Sequence, residues 1–210
     1  MKFLKLAVVV LVLLVNFAIV RPAWADVNLT KTPAYAELTD NLNRLLKTAT
    51  DPNQTDYTEA ELQQQIGQLQ LQKYILETSE DWAQCRNQTG QTIAVYANKP
   101  KKATADQPNT LFYLGVSEET DDDWNCNGFY LPAGTNVAGV NSIAPQELGE
   151  AIALKVLDGA QIVATTNPDT GAVEFNLPPA KVFKAGDVSW DIPSLTQADI
   201  AAQTPNAPVD

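Results

Sequence analysis

The residues best suited to chemistry are five carboxylates that crowd into six consecutive positions, which are Glu118, Glu119, Asp121, Asp122 and Asp123. Carboxylate oxygens are the ligands that calcium prefers, so this segment is a candidate calcium site. The spacing is not that of an EF-hand, because it lacks the glycine in the loop and the distal glutamate. A solvated acidic loop beside a strand edge is the favoured interpretation, and no cofactor other than calcium is expected.

Aromatic residues form the second candidate site. Trp124, Tyr130 and Trp190 lie in or beside predicted strands, and a row of exposed rings on a sheet can stack on sugar rings. A carbohydrate-binding module, with calcium at the acidic segment, is therefore one hypothesis. Tryptophan in an exported sandwich is more often a core ring beside a disulfide, so burial is the favoured interpretation.

Cys85 and Cys126 are the only cysteines of the chain. An even number of cysteines in an exported protein predicts that they form a disulfide. Such a bridge closes a loop of about 40 residues and stabilises the fold by about 3–4 kcal/mol. A catalytic thiol is not expected, because no histidine or neighbouring CxxC is there to lower its pKa.

Most common catalytic arrangements cannot be built from this chain, because it contains no histidine. Ser-His-Asp triads, Cys-His pairs and imidazole metal ligands are all excluded. The sequence also lacks a glycine-rich phosphate loop and a GxSxG motif. Paired carboxylates could hydrolyse glycosides, but any acidic protein contains such pairs. We therefore expect a binding protein rather than an enzyme.

The first 25 residues predict export. A basic start with Lys2 and Lys5 precedes an apolar run over residues 6–15, and residues 23–25 offer the small side chains that a signal peptidase reads. Asn16 interrupts the run before it reaches the roughly 20 apolar residues that a spanning helix needs. We predict cleavage after residue 25 and no integral membrane span in the mature protein. Its compartment would be the periplasm, a thylakoid-type lumen or the extracellular space.

The charge of the mature chain restricts its partners. Removal of residues 1–25 takes away three basic residues and no acid, leaving 11 basic and 25 acidic side chains, a net charge of −14. Such a surface repels phosphate backbones and anionic lipid headgroups. Nucleic acid is thus excluded, and another exported protein or complex is the expected partner, with a glycan as the alternative.

Residues 26–80 predict a helical hairpin. Thr32 can cap a helix that starts at Pro33, and Thr58 with Glu61 has the spacing of a capping box. Apolar stripes at helical spacing follow each start, at Leu38, Leu42, Leu45 and Leu46 and then at Leu62, Ile66, Leu69 and Leu76. Six glutamines flank the second stripe, and a solvated face is favoured over a docking surface. The two stripes are expected to pack on the domain that follows.

Residues 81–195 predict an antiparallel β domain, because the apolar period changes from 3.6 to 2. Asp158 and Gly159 are typical of a two-residue hairpin turn. Residues 145–157 fit either a helix or a strand, and we favour a turn of helix from Pro145 followed by a strand near Ala151. The predicted strand stretches are 92–97, 111–116, 129–131, 154–157, 160–165, 172–177, 182–183 and 188–192.

The C-terminal residues 196–210 are polar, carry two prolines and are predicted to be disordered. The fold class expected for the whole chain is α+β. An N-terminal helical hairpin would pack on a mainly antiparallel β-sandwich or barrel that is stapled by one disulfide.

Overall fold

The computed structural model describes residues 28–50, 57–79, 81–100, 110–140, 144–187 and 190–209. The predicted signal peptide, residues 1–25, lies outside the described residues. No helix within these ranges is long and apolar enough to span a bilayer.

Two helices open the described chain, α1 (Pro33–Thr50) and α2 (Glu59–Thr78), after one 3₁₀ turn at Leu29–Lys31. At the start of α1, the Thr32 hydroxyl accepts a hydrogen bond from the Tyr35 amide at 3.2 Å. At the start of α2, Thr58 and Glu61 each accept a hydrogen bond from the other's amide. Both predicted helix starts are confirmed.

The two helices form an antiparallel hairpin. Leu42 and Leu45 of α1 pack with Leu62 and Ile66 near the start of α2. Leu38, near the start of α1, packs instead with Leu76 near the end of α2. Since late residues of one helix meet early residues of the other, the chain reverses direction between them, as predicted.

Ten strands lie within the described residues and form two five-stranded sheets. The first sheet has the order β1-β8-β9-β5-β6, and the second has the order β10-β7-β4-β2-β3. The strands are β1 (Gln84–Gln88), β2 (Ile93–Asn98), β3 (Thr110–Leu114), β4 (Asn125–Leu131), β5 (Asn136–Val137), β6 (Gln146–Glu147), β7 (Ile152–Lys155), β8 (Gln161–Thr166), β9 (Val173–Phe175) and β10 (Lys181–Lys184).

The sheets make a sandwich and not a closed barrel. The β1–β8 and β5–β9 pairs are parallel, and all the other pairs between the strands are antiparallel. One core joins side chains of both sheets, with Cys85 and Ile162 from the first and Val95, Phe129 and Leu154 from the second. The expected α+β class with a mainly antiparallel sandwich is confirmed.

The hairpin packs on this sandwich. Ile75 of α2 lies against the core between the sheets, and Leu157 with Trp82 contacts the cluster that contains Leu29. The Ser79 hydroxyl donates a hydrogen bond to the Gly159 carbonyl at 2.7 Å. These contacts give the two leucine stripes the cover that a lone hairpin lacks.

Two local predictions in the β domain are wrong. The Asp158–Gly159 turn does not close a hairpin, because β7 belongs to the second sheet and β8 to the first. The chain crosses the sandwich there, and an apolar pattern cannot distinguish that crossing from a return within one sheet. Near Pro145 the structure has the short strand β6 in place of a helical turn. The strand expected near Ala151 is confirmed and begins at Ile152.

The prediction of a disordered tail is also wrong for residues 196–209. A short helix, α3 (Gln197–Ala201), begins with a capping box between Thr196 and Asp199. Ile200 is only 1% exposed, and the Asn206 amide donates to the Tyr113 carbonyl at 2.9 Å. One buried isoleucine and one capping pair within this polar composition contribute to fixing the segment against the second sheet.

Candidate functional site

The two cysteines form a structural disulfide. Cys85 in β1 and Cys126 in β4 are bonded, with their Cα atoms 5.8 Å apart. Both residues are fully buried. Because β1 and β4 belong to different sheets, the bond ties the two layers of the sandwich together. The predicted pairing is confirmed.

The first two carboxylates of the acidic segment are used within the fold. The Glu118 carboxylate accepts a hydrogen bond from the Gly115 amide at 2.6 Å. The Glu119 carboxylate lies 3.9 Å from the Arg86 guanidinium, and both side chains are a little less than half exposed. Glu118 thus closes a turn, while Glu119 makes a weak surface ion pair.

The three aspartates have separate surroundings. Asp121 accepts a hydrogen bond from the Asp123 amide at 2.7 Å, and Asp123 pairs with Lys99 at 3.1 Å. Asp122 is exposed. Among the described residues, which include the whole acidic segment, no group of three or more acidic or cysteine side chains is arranged to hold a metal ion. The calcium site stays a prediction that these contacts do not support.

Two of the three predicted stacking residues are buried. Tyr130 is 1% exposed and Trp190 is 8% exposed. Trp190 packs edge-on against Tyr96 at 4.7 Å between ring centroids and stacks on Phe183 at 5.1 Å. Neither ring offers a free face to a sugar, so a stacking role for this pair is wrong.

Trp124 is partly exposed and lies apart from that pair. Its ring packs edge-on against Phe112 at 5.6 Å, and the Lys99 ammonium lies 6.0 Å from its centroid. Phe112 contacts the core between the sheets, whereas Tyr130 and Trp190 belong to the cluster on the other face of the second sheet. The structure therefore does not assemble the three rings into one binding surface.

Buried tyrosines instead fasten residues 190–209, which we call the C-terminal segment. The Tyr130 hydroxyl donates to the Pro193 carbonyl at 2.8 Å and accepts from the Leu195 amide at 3.0 Å. The Tyr96 hydroxyl donates to the Asp191 carbonyl at 2.8 Å. Burial raises the pKa of both tyrosines. These hydrogen bonds hold the segment over the outer apolar face of the second sheet.

One surface of the hairpin has no comparable cover within the described residues. We define the outer face of α2 by residues that helical spacing places on one side and that are all exposed, namely Ala60, Gln63, Gln64, Gly67, Gln70, Leu71 and Tyr74. Leu71 is 37% exposed and Tyr74 is 63% exposed. No charged residue lies between Glu61 and Lys73 in a chain with 25 acidic residues. An uncharged face of this kind suits contact with another protein.

Leu71 and Tyr74 belong to a wider pattern. Of the six large apolar side chains that are exposed in the described residues, four belong to or adjoin the hairpin: Leu46, Tyr57, Leu71 and Tyr74. The glutamines of α2 predict a solvated face and do not indicate Leu71 and Tyr74. Apolar residues surround α2 on several sides, so the sequence alone does not show which of them face the core.

A polar groove lies beside the outer face, on the side of α2 that carries Gln65, Gln68 and Gln72. It runs between the hairpin and the chain just before β10, and its volume is about 390 Å³. Arg44 of α1 contributes the guanidinium, and Gln65, Gln68 and Gln72 of α2 contribute carboxamides. No local sequence pattern indicates this groove, because the helices and residues 179–180 meet there only in the folded chain.

Comparison with protein-family models, curated proteins and solved structures gave no match to this chain.

Proposed function

We propose that this chain is an exported, non-catalytic accessory protein that engages another exported protein through the outer face of α2. The compartment would be the periplasm, a thylakoid-type lumen or the extracellular space. The observation that carries the proposal is the exposure of Leu71 and Tyr74 on a face without charges. The buried disulfide supports export, because such bonds persist mainly in oxidising compartments.

The shape of this face indicates what kind of partner would fit. The outer face of α2 runs from Ala60 to Tyr74 and forms a ridge about 21 Å long. A second helix with an apolar stripe can lie along such a ridge and bury Leu71 and Tyr74. Gly67 lies between the two ends of the face, and a Cβ there would meet no atom within 4 Å. A partner backbone can therefore approach α2 closely at this point.

Charge adds a second requirement on the partner. The mature chain would carry a net charge of −14, so an acidic partner would be repelled before contact. Lysine or arginine on the flanks of the partner's stripe would be attracted, while the stripe itself would meet an uncharged face. The expected partner is thus an exported protein with an amphipathic, basic-flanked helix.

Chemical crosslinking and pull-down from a native exported fraction, at low salt and without reductant, tests the proposal. The wild-type chain is compared with the double variant Leu71→Gln/Tyr74→Gln. We expect one stoichiometric partner with the wild type and at least about tenfold lower recovery with the variant, since loss of two central apolar contacts costs more than about 1.4 kcal/mol.

The matched control is Val116→Gln, because Val116 is 51% exposed and lies in the turn after β3. It should capture the partner like the wild type. Equal recovery with the double variant, or recovery of the bait alone, would contradict the proposal. Circular dichroism must show that all variants keep their helix content.

A further inference from the structure

The groove beside Arg44 has the chemistry of a ligand site. Its volume of about 390 Å³ lies in the range of small-molecule sites, which is about 300–1,000 Å³. Its polar walls come from Arg44 and Asn41 of α1 and from three glutamines of α2. No acidic side chain is among the described residues that line it, although the protein is strongly acidic.

Arg44 is exposed, and its guanidinium makes one side-chain hydrogen bond among the described residues. Its Nη2 donates a hydrogen bond to the Asn41 Oδ1 at 3.0 Å. No carboxylate of the described residues forms an ion pair with it. A guanidinium carries five N–H donors in a rigid fork that matches a carboxylate. Arg44 therefore retains donors for one carboxylate from outside the chain.

The glutamines supply the remaining polar groups. Gln65, Gln68 and Gln72 lie on one side of α2 at spacings of three and four residues, which brings their carboxamides together. No hydrogen bond among the described residues involves these carboxamides, so they can bind a ligand. Each carboxamide offers two donors and an acceptor, which is what neighbouring sugar hydroxyls require.

Apolar side chains complete the groove. Leu45 and Leu69 come from the hairpin, and Pro179 and Ala180 come from the chain before β10. Such a floor suits the C–H face of a sugar ring better than a fully charged ligand. The single cationic side chain, Arg44, also matches a carboxylate better than a phosphate group, because phosphate sites usually contain several cations or a helix N-terminus.

We propose that this groove binds a uronic acid, a sugar that carries one carboxylate. The carboxylate would pair with Arg44, and the ring hydroxyls would bond to the glutamines. The site differs from the one proposed for the partner protein, because Gln65, Gln68 and Gln72 lie about 100° or more around α2 from Gly67. Either proposal can fail without the other.

Ligand-observed NMR with the full chain tests this inference, using glucuronate, galacturonate and a galacturonate trimer as probes and glucose as the neutral control. We expect at least one uronate probe to bind with a Kd at least about tenfold lower than that of glucose. Binding of the free acids would indicate recognition of a single sugar unit, whereas binding of the trimer alone would indicate recognition of a polysaccharide. Equal binding of glucose, or binding of none of the probes, would overturn the inference.

Two variants separate the site from general electrostatics. Arg44→Gln should lower uronate affinity at least about tenfold and abolish the preference over glucose. Lys47→Gln removes the same charge from the same helix, but Lys47 does not line the groove. The affinity of this variant for uronate should therefore match that of the wild type. An unchanged uronate affinity in the Arg44→Gln variant, or an equal loss of affinity in both variants, would overturn the inference. Equal thermal midpoints of the variants would show that folding is not the cause.

Discussion

Two apolar surfaces of this molecule differ in how far other residues of the chain cover them. The outer face of the second sheet carries Tyr96, Tyr130 and Phe183, and the C-terminal segment covers it with Trp190 and Ile200. The outer face of α2 carries exposed Leu71 and Tyr74. The C-terminal segment thus covers one apolar surface, whereas Leu71 and Tyr74 on the other surface stay exposed among the described residues. This difference is what marks the α2 face as a candidate contact for a partner.

The cover on the sheet depends on close packing. A Cβ added at Gly128 of β4 would lie 2.8 Å from the Trp190 ring and 2.3 Å from the Leu154 carbonyl oxygen. Glycine is therefore needed there to bring the ring down onto the strand. The Tyr96 and Tyr130 hydroxyls then fix the backbone beyond the ring. The outer face of α2 shows no equivalent contacts among the described residues.

The largest expected effect concerns the sandwich that lies beneath the covered face. Replacing both Cys85 and Cys126 by alanine should lower the free energy of unfolding by about 4 kcal/mol, because the bond closes a loop of 41 residues. Denaturant unfolding with and without reductant measures this. Reductant should destabilise the wild type and leave the variant unchanged. An unfolding midpoint of the wild type that does not respond to full reduction would contradict the assignment.

A paired substitution tests the comparison itself. Ile200→Ala should cost about 3 kcal/mol, because this side chain of the C-terminal segment is buried against the second sheet. Tyr74→Ala should cost less than about 0.5 kcal/mol, because the side chain is 63% exposed on the surface. Chemical denaturation of the two variants measures both values. Similar losses would mean that the two surfaces do not differ as described.

A smaller effect is expected from alkaline pH. Burial raises the pKa of Tyr96 and Tyr130 above the usual value of about 10. The stability that this shift contributes is therefore fully present below about pH 10 and is lost as the pH rises further. The denaturation midpoint should fall above about pH 10, as tyrosinate absorbance increases.

Tyr130→Phe provides the control for that titration. The variant loses the hydrogen bonds to Pro193 and Leu195 and should be about 1–2 kcal/mol less stable at neutral pH. Its stability should also depend less on alkaline pH, since one raised pKa is removed. A wild-type midpoint that stays constant through the alkaline range would contradict the role assigned to the two hydroxyls.

Local patterns in the sequence predict the hairpin and most strands correctly. The Thr58–Glu61 capping box and the leucine spacings depend only on neighbouring residues. Seven of the eight predicted strand stretches overlap a strand of the structure; in the eighth, residues 190–192 form no strand, and residues 188–189 lie outside the described residues. Pairing across the sandwich is a long-range property, so the crossing at Asp158–Gly159 could not be predicted. The strand β1 could not be predicted because Cys85 is the one apolar residue among its five, so no apolar alternation marks it.

The candidate sites are harder to predict for the same reason. The local sequence around a tryptophan beside a strand does not show whether its ring is buried or exposed. Only the tertiary structure shows that Trp190 lies in a buried cluster. The groove at Arg44 combines two helices with Pro179 and Ala180, so no local motif indicates it. The disulfide was predictable because the chain has only two cysteines.

Position-specific photocrosslinking tests the central claim most directly. A photoreactive residue is placed at position 71 or 74 on the outer face of α2, or at position 116 as the control, and the exported protein is irradiated in intact cells. We expect one crosslinked product of defined mass from positions 71 and 74 and none from position 116. Products of equal yield from all three positions, or from none, would contradict the claim that the outer face of α2 is the surface that a partner covers.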